Sequence, residues 1–172
     1  MTGIATIYPI DGPWKGQLAI IARPRGGDWL EDEVQSWRQA GLDVIVSLLT
    51  ADEVEDLNLA QEEAYCQAHN LNFLSFGIHD RSVPKSQDSA RQLLEQLHKM
   101  LTAGKSIGIH CRQGIGRSAL VAACLLVMSG LETTNAFQRI STARGLVVPE
   151  TDEQLDWVVQ FAQEFATSVI HL

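Results

Sequence analysis

Four short apolar runs punctuate the chain, at residues 17–22, 43–49, 71–78 and 107–110. Each is too short for a typical helix, and turn-forming or polar residues bound it, so each reads as a buried strand. The segments between them are apolar at helical spacing. After the turn Arg23-Pro24-Arg25-Gly26-Gly27, Asp28 is placed to cap a helix in which Trp29, Leu30, Val34 and Trp37 recur, up to Gly41. Residues 50–57 and 59–69 predict two helical pieces. Residues 86–101 predict an amphipathic helix carrying Leu93, Leu94, Leu97 and Met100. Residues 117–128, 132–143 and 151–166 predict three more helices. Strands alternating with helices imply an α/β fold, with a central, mostly parallel sheet of four to five strands flanked by helices on both faces. In such sheets ligands sit at the carboxyl ends of the strands.

Composition narrows the class. With 172 residues, 45% of them hydrophobic and 20% charged, the chain reads as one globular domain over residues 1–172. A net charge of −8 argues against a general nucleic-acid binder, which would present a basic face. It leaves room for a small, locally positive site. Three cysteines are too few for a disulfide framework and point to a reducing, cytoplasmic setting. Residues 1–6 lack the basic stretch and apolar core of a signal peptide. The longest apolar run, 119–128, is about half the length that a spanning helix needs, so membrane insertion is not expected.

The chemistry concentrates in His110-Cys111-Arg112-Gln113-Gly114-Ile115-Gly116-Arg117-Ser118. A strand leads in and a helix leads out. A loop in that position can turn its amides, at Arg112 through Arg117, around an anion, and the helix N-terminus adds partial positive charge. Gly114 and Gly116 let the backbone turn where a Cβ would obstruct. A cysteine at the base of such a loop ionises easily, which makes Cys111 the candidate nucleophile. Arg117 offers a planar fork that grips two phosphate oxygens at once. Ser118 is placed to donate a hydrogen bond to the sulfur. His110 reads as a buried hydrogen-bonding partner that shapes the loop. Expelling an alkoxide or phenoxide also needs a proton donor. Asp80, on the loop after the 71–78 strand and stiffened by Pro84, is the candidate acid. Asp11, Asp28 and Asp88 are competing carboxylates in less suitable contexts.

These residues resemble the cysteine-dependent protein phosphatases of the dual-specificity and protein tyrosine phosphatase superfamily. The family signature HCxxGxxR followed by Ser or Thr matches His110 to Ser118 at every fixed position. Asp80 matches the family's mobile acid loop. The likeness is greatest to the compact, kinase-associated-phosphatase-like members, and there is no room for the added recognition loop of the larger phosphotyrosine-specific domains. The resemblance implies a protein-tyrosine-phosphatase-like fold, a phosphocysteine intermediate, and no metal or other cofactor. It implies a phosphorylated protein or peptide as substrate and a monomeric enzyme. It also suggests a water-orienting role for Gln154, after Pro149, although the flanking residues do not fix the register.

Other readings stay open at this stage. A phosphoinositide or another small phosphomonoester is a second substrate class, although Arg112, Gln113 and Ile115 stand where lipid-directed members tend to carry lysines. A sulfurtransferase also uses a cysteine in an anion-binding loop. A non-catalytic phosphate-binding module would keep the loop and lose the chemistry. Arg23, Arg25 and Arg81 are candidates to flank the cleft. Cys66 and Cys124 are candidates to form a disulfide with an oxidised Cys111, although both fall on helical patterns where a core position is the simpler reading. Trp14, Trp29, Trp37 and Trp157 read as core or boundary aromatics.

Overall fold

Side chains alternate along the strands and divide the core in two. The computed structural model describes residues 5–170, so the ends of the expected 1–172 domain and most of the segment tested for a signal peptide lie outside the described residues. The elements in chain order are β1 (Ile7–Ile10), β2 (Leu18–Ile21), a 3-10 turn (Gly27–Trp29), α1 (Leu30–Gln39), β3 (Val44–Ser47), α2 (Ala51–Asp56) and α3 (Glu62–Ala68). They continue with β4 (Asn72–Ser75), α4 (Gln87–Thr102), β5 (Ile107–His110), α5 (Arg117–Met128), α6 (Thr133–Arg144) and α7 (Asp152–Ile170). The five strands form one sheet in the order β1-β2-β5-β3-β4. All neighbours are parallel except β1 and β2. This is the α/β sheet that the alternating pattern predicts.

On one face Leu18, Ile20, Val44, Val46, Ile107 and Ile109 pack against α4, α5, α6 and α7. On the other, Ile21, Ile45 and Leu49 pack against Leu30, Val34 and Trp37 of α1 and Cys66 of α3. Helix α5 is buried from Arg117 through Val127, so it has no solvent face and runs through the larger core. It begins where the 110–118 loop ends. The loop is therefore fixed to β5, the central strand, on one side and to the most enclosed helix on the other. Among the described residues no helix is long and apolar enough to cross a membrane.

Four details differ from the sequence reading. Strand β1 is additional. Its proline, Pro9, interrupts the apolar pattern, but on an edge strand a proline removes no essential ladder donor, and Pro9 pairs opposite Ala19. Asp28 does not cap α1. The chain enters through the 3-10 turn, whose N-cap is Gly26, and Asp28 lies inside it without a side-chain capping bond. Trp29, placed on the core face by spacing, is 56% exposed and lies under the Arg25 guanidinium at 4.3 Å, because the 3-10 turn rotates it off the helical register. The 59–69 piece is helical only from Glu62, since Leu59 turns its amide back to the Val54 carbonyl at 2.9 Å.

Gly108 sits at the middle of the sheet, where an added Cβ would lie 3.0 Å from Leu42 and 3.1 Å from Ile21. Gly108→Val should overpack this interior and lower stability by about 1–3 kcal/mol. Urea unfolding followed by circular dichroism measures it, and a variant as stable as the parent would show that the sheet has slack there.

Candidate active site

The 110–118 loop leaves the carboxyl end of β5, between β2 and β3. Gly114 adopts a left-handed backbone (φ 69°), and this turns its N–H onto the Cys111 sulfur at 3.2 Å. Cys111 is buried at the base of the loop. Gln113 is exposed, Ile115 and Arg112 are half-buried, and Gly114 and Gly116 are buried. One backbone amide, that of Gly114, thus reaches the sulfur.

Arg117 opens α5 and is 1% exposed. Its Nη1 donates to the Glu53 carboxylate at 2.6 Å and to the Ile78 carbonyl at 2.8 Å, with Leu48 O at 3.4 Å. Its Nη2 donates to the other Glu53 oxygen at 3.0 Å and to Asp80 Oδ1 at 3.2 Å. Burial disfavours the charged guanidinium, but the Glu53 hydrogen bonds and the negative charges of Cys111, Glu53 and Asp80 outweigh it and hold Arg117 more firmly protonated than an ordinary arginine. Asp80 meets Arg117 from the solvent side with its side chain 54% exposed. Asp80, 37 residues before Arg117 in sequence, is thus brought to the loop that carries Cys111 and Arg117. Asp11, Asp28 and Asp88 lie instead beyond β1, in the 3-10 turn and in the first turn of α4.

The acid loop is held by its own contacts. Arg81 is left-handed (φ 62°) and its guanidinium binds Glu150 at 2.6 Å rather than standing free beside the cleft. Gln154 is fully buried. Its Nε2 donates to Ser82 O at 3.1 Å, and its Oε1 accepts from the Glu150 and Thr151 amides. A Cβ on Gly116 would stand 2.7 Å from the Gln154 amide. Gln154 therefore lies against the anion loop and ties the Asp80 loop to the start of α7. Arg112 approaches Glu53 at 3.8 Å, and its carbonyl accepts from Arg23 Nε at 3.2 Å. Arg25 pairs with Glu33.

One expectation meets a different arrangement. The Ser118 hydroxyl, buried in the first turn of α5, makes no hydrogen bond among the described residues, so the bond to the sulfur is not formed and the Gly114 amide occupies that role. Cys66 and Cys124 are free and buried in the core. Burial, with Glu62 and Glu63 adding to it, pushes the Cys66 thiol up to about 12. Burial alone raises Cys124.

Glu53, Glu62 and Arg144 carry weight at the site and were not singled out from sequence. Thr50-x-x-Glu53 is a readable capping box, and both of its bonds form at α2, but nothing local shows that Glu53 also faces Arg117. The Glu62 carboxylate accepts from His110 Nε2 at 2.6 Å, and Trp37 stacks on the same ring with centroids 6.0 Å apart. His110 is thus a buried hydrogen-bonding partner, as its position suggests. Arg144, at the end of α6, donates to the Gly114 and Gln113 carbonyls.

A mostly parallel sheet with the Cys111–Arg117 loop at its centre, a buried guanidinium and a facing carboxylate marks the tyrosine-phosphatase fold. Residues 20–131 match the family model described as polymorphic toxin system, DSP-PTPase phosphatase, and the chain belongs to that family. It is 23% identical over 139 residues to rat (Rattus norvegicus) cyclin-dependent kinase inhibitor 3, covering 80% of this chain and 65% of the rat protein. The match therefore spans just under two thirds of that relative's length. The crystal structure of kinase associated phosphatase with a catalytic cysteine-to-serine substitution superposes with a TM-score of 0.85 at 20% identity, covering 96% of this chain and 98% of that one. The crystal structure of Tk-PTP in its active form gives 0.74 at 26% identity, covering 92% and 97%.

The Arg117–Glu53 pair makes stability depend on acid. Burial raises the Glu53 carboxyl, but the Arg117 hydrogen bond, the Thr50 amide and the Arg117 charge bring it below its ordinary value of 4.5. Its contribution is then complete above pH 4.5 and is lost as the pH falls through the lowered folded value. Glu53→Gln should cost about 3 kcal/mol at pH 7, and the gap to the parent should narrow below pH 4. Chemical unfolding at both pH values tests this, and an unchanged gap would contradict it.

Proposed function

We propose that the protein is a cysteine-dependent phosphatase that hydrolyses phosphotyrosine in proteins or peptides, with phosphoserine and phosphothreonine as further substrates. One observation carries the reading. The buried guanidinium that opens α5 reaches an exposed carboxylate, Asp80, at the mouth of a loop whose amide points at the Cys111 sulfur. That sets a cation and a proton carrier together beside the loop that carries the nucleophile.

In the first step the Cys111 thiolate attacks phosphorus. An S–P bond forms, the ester P–O bond breaks, and Asp80 gives its proton to the leaving oxygen. The loop amides of residues 112–117 and the Arg117 fork hold the equatorial oxygens, where charge spreads in the transition state. The incoming phosphate exchanges the Asp80–Arg117 contact for its own. In the second step Asp80, now a carboxylate, takes a proton from water as that water attacks phosphorus, and the S–P bond breaks. Inorganic phosphate leaves and the thiolate is restored. Gln154, against Gly116 and hydrogen-bonded to the acid loop, orients this water. The Ser118 hydroxyl, which has no partner in the resting structure, turns to support the departing sulfur. No metal and no other cofactor takes part. The facing carboxylate favours phosphoryl transfer over sulfur transfer, which needs no general acid.

The purified protein should hydrolyse an aryl phosphate without added metal, and Cys111→Ser should abolish turnover. Activity that survived in Cys111→Ser would overturn the mechanism, and phosphopeptide binding without phosphate release would make the protein a binding module. Asp80→Ala should slow hydrolysis of an alkyl or phenyl phosphate by roughly 10²- to 10⁴-fold while leaving vanadate affinity within a few fold. Full turnover by that variant on a poor leaving group would assign the acid elsewhere. A panel of phosphopeptides, phosphoinositides and nucleotides separates the protein substrate from the smaller phosphomonoesters.

A further inference from the structure

Helix α6 lies outside the anion loop and supplies none of its residues. It ends at Arg144, immediately before the left-handed Gly145. A basic residue in a last helical turn ordinarily answers the helix dipole, and any cation serves. Arg144 does more. Its Nε donates to Gly114 O at 2.9 Å and its Nη2 to Gln113 O at 3.2 Å. The guanidinium lies 4.0 Å over the ring of Tyr8, on strand β1. Its two donors therefore hold two successive loop carbonyls from outside, while an aromatic face fixes the plane of the fork.

Peptide planarity gives this grip a consequence within the loop. The C=O and N–H of one trans peptide point in opposite directions. The Gln113 carbonyl shares its peptide with the Gly114 amide, and the Gly114 carbonyl shares its peptide with the Ile115 amide. Holding both oxygens outward aims both N–H groups inward. The first of these is visible, since the Gly114 amide points at the Cys111 sulfur at 3.2 Å. Gly114 needs this help more than its neighbours do. Its left-handed backbone (φ 69°) is one of several that a glycine can adopt, so the loop sequence alone does not fix its peptides.

We propose that Arg144 is a positioning residue for phosphate binding, which sets the direction of the Gly114 and Ile115 amides through their own peptide planes and is itself held in place by Tyr8. It touches neither substrate nor sulfur. The inference rests on the phosphatase reading of the Cys111 loop, but its test does not require turnover. Edge strand β1 thereby gains a part in the site, through a ring that stands outside the cradle.

The experiment measures how well inorganic phosphate and orthovanadate protect Cys111 from iodoacetamide, followed by mass spectrometry, in the full chain and in Arg144→Met, Arg144→Lys and Tyr8→Leu. Steady-state kinetics on an aryl phosphate accompany it. Arg144→Met should weaken oxyanion protection about tenfold or more, and kcat/KM should fall at least as far, because the transition state draws on the same amides. Arg144→Lys keeps the charge at the helix end but reaches only one carbonyl, and should recover less than half of the loss on a logarithmic scale. Tyr8→Leu should shift protection in the same direction by a smaller factor, and this variant decides the matter if Arg144→Met does not fold. Parent-like protection in a folded Arg144→Met, full rescue by Arg144→Lys, or parent-like protection in Tyr8→Leu where Arg144→Met is unfolded, would overturn the proposal. If the parent itself bound no oxyanion and released no phosphate, the phosphatase reading would fall first, and the role of Arg144 with it. A protected, active parent beside unaffected variants would remove only this inference.

Discussion

One buried ion pair organises the catalytic end of the sheet. Arg117 has almost no exposure to water, so its charge is tolerable only because Glu53 answers it with two oxygens and because carbonyls from Leu48 and Ile78 take further donors. Those partners come from the end of β3, from α2 and from the segment after β4. A single guanidinium therefore fixes the relative positions of three chain segments that share no local sequence. It also fixes where the acid loop begins, since Ile78 is two residues before Asp80. Glu53 is in turn held at the N-terminus of α2 by its capping box with Thr50.

The same pairing places a buried cation in a chain of net charge −8. The local field there comes from one desolvated cation, a helix N-terminus and the Gly114 amide, none of which depends on overall charge. Most arginines near the loop are already engaged: Arg81 by Glu150, Arg25 by Glu33, Arg112 by Glu53 at longer range.

Much of the architecture could be read from patterning. Four of the five strands follow from short runs of Ile, Val and Leu, and the helices from apolar spacing, because burial on two faces or on one leaves opposite periodicities. The anion loop was legible because its residues are contiguous. Strand β1 was not, since Pro9 breaks the pattern at an edge where the break costs little. Glu53, Glu62 and Arg144 were hidden for a different reason. Each looks like an ordinary helix-end charge, and each acquires its partner only through the tertiary fold, across 64, 48 and 30 positions of sequence. Asp28 and Trp29 mark the converse error, in which helical spacing was extended through a 3-10 turn that rotates its residues differently.

Helix α5, sheathed on every side by β-strands and three other helices, has a bearing on how this molecule loses its activity. Local opening draws on segments with few apolar contacts, and α5 has many along its whole length. The Cys111 loop is joined to that helix without a linker, whereas the Asp80 segment is held by polar contacts from Arg117, Glu150 and Gln154. Mild heat or denaturant would therefore free the Asp80 segment before it loosened the Cys111 loop, so the two halves of the candidate site would part in that order.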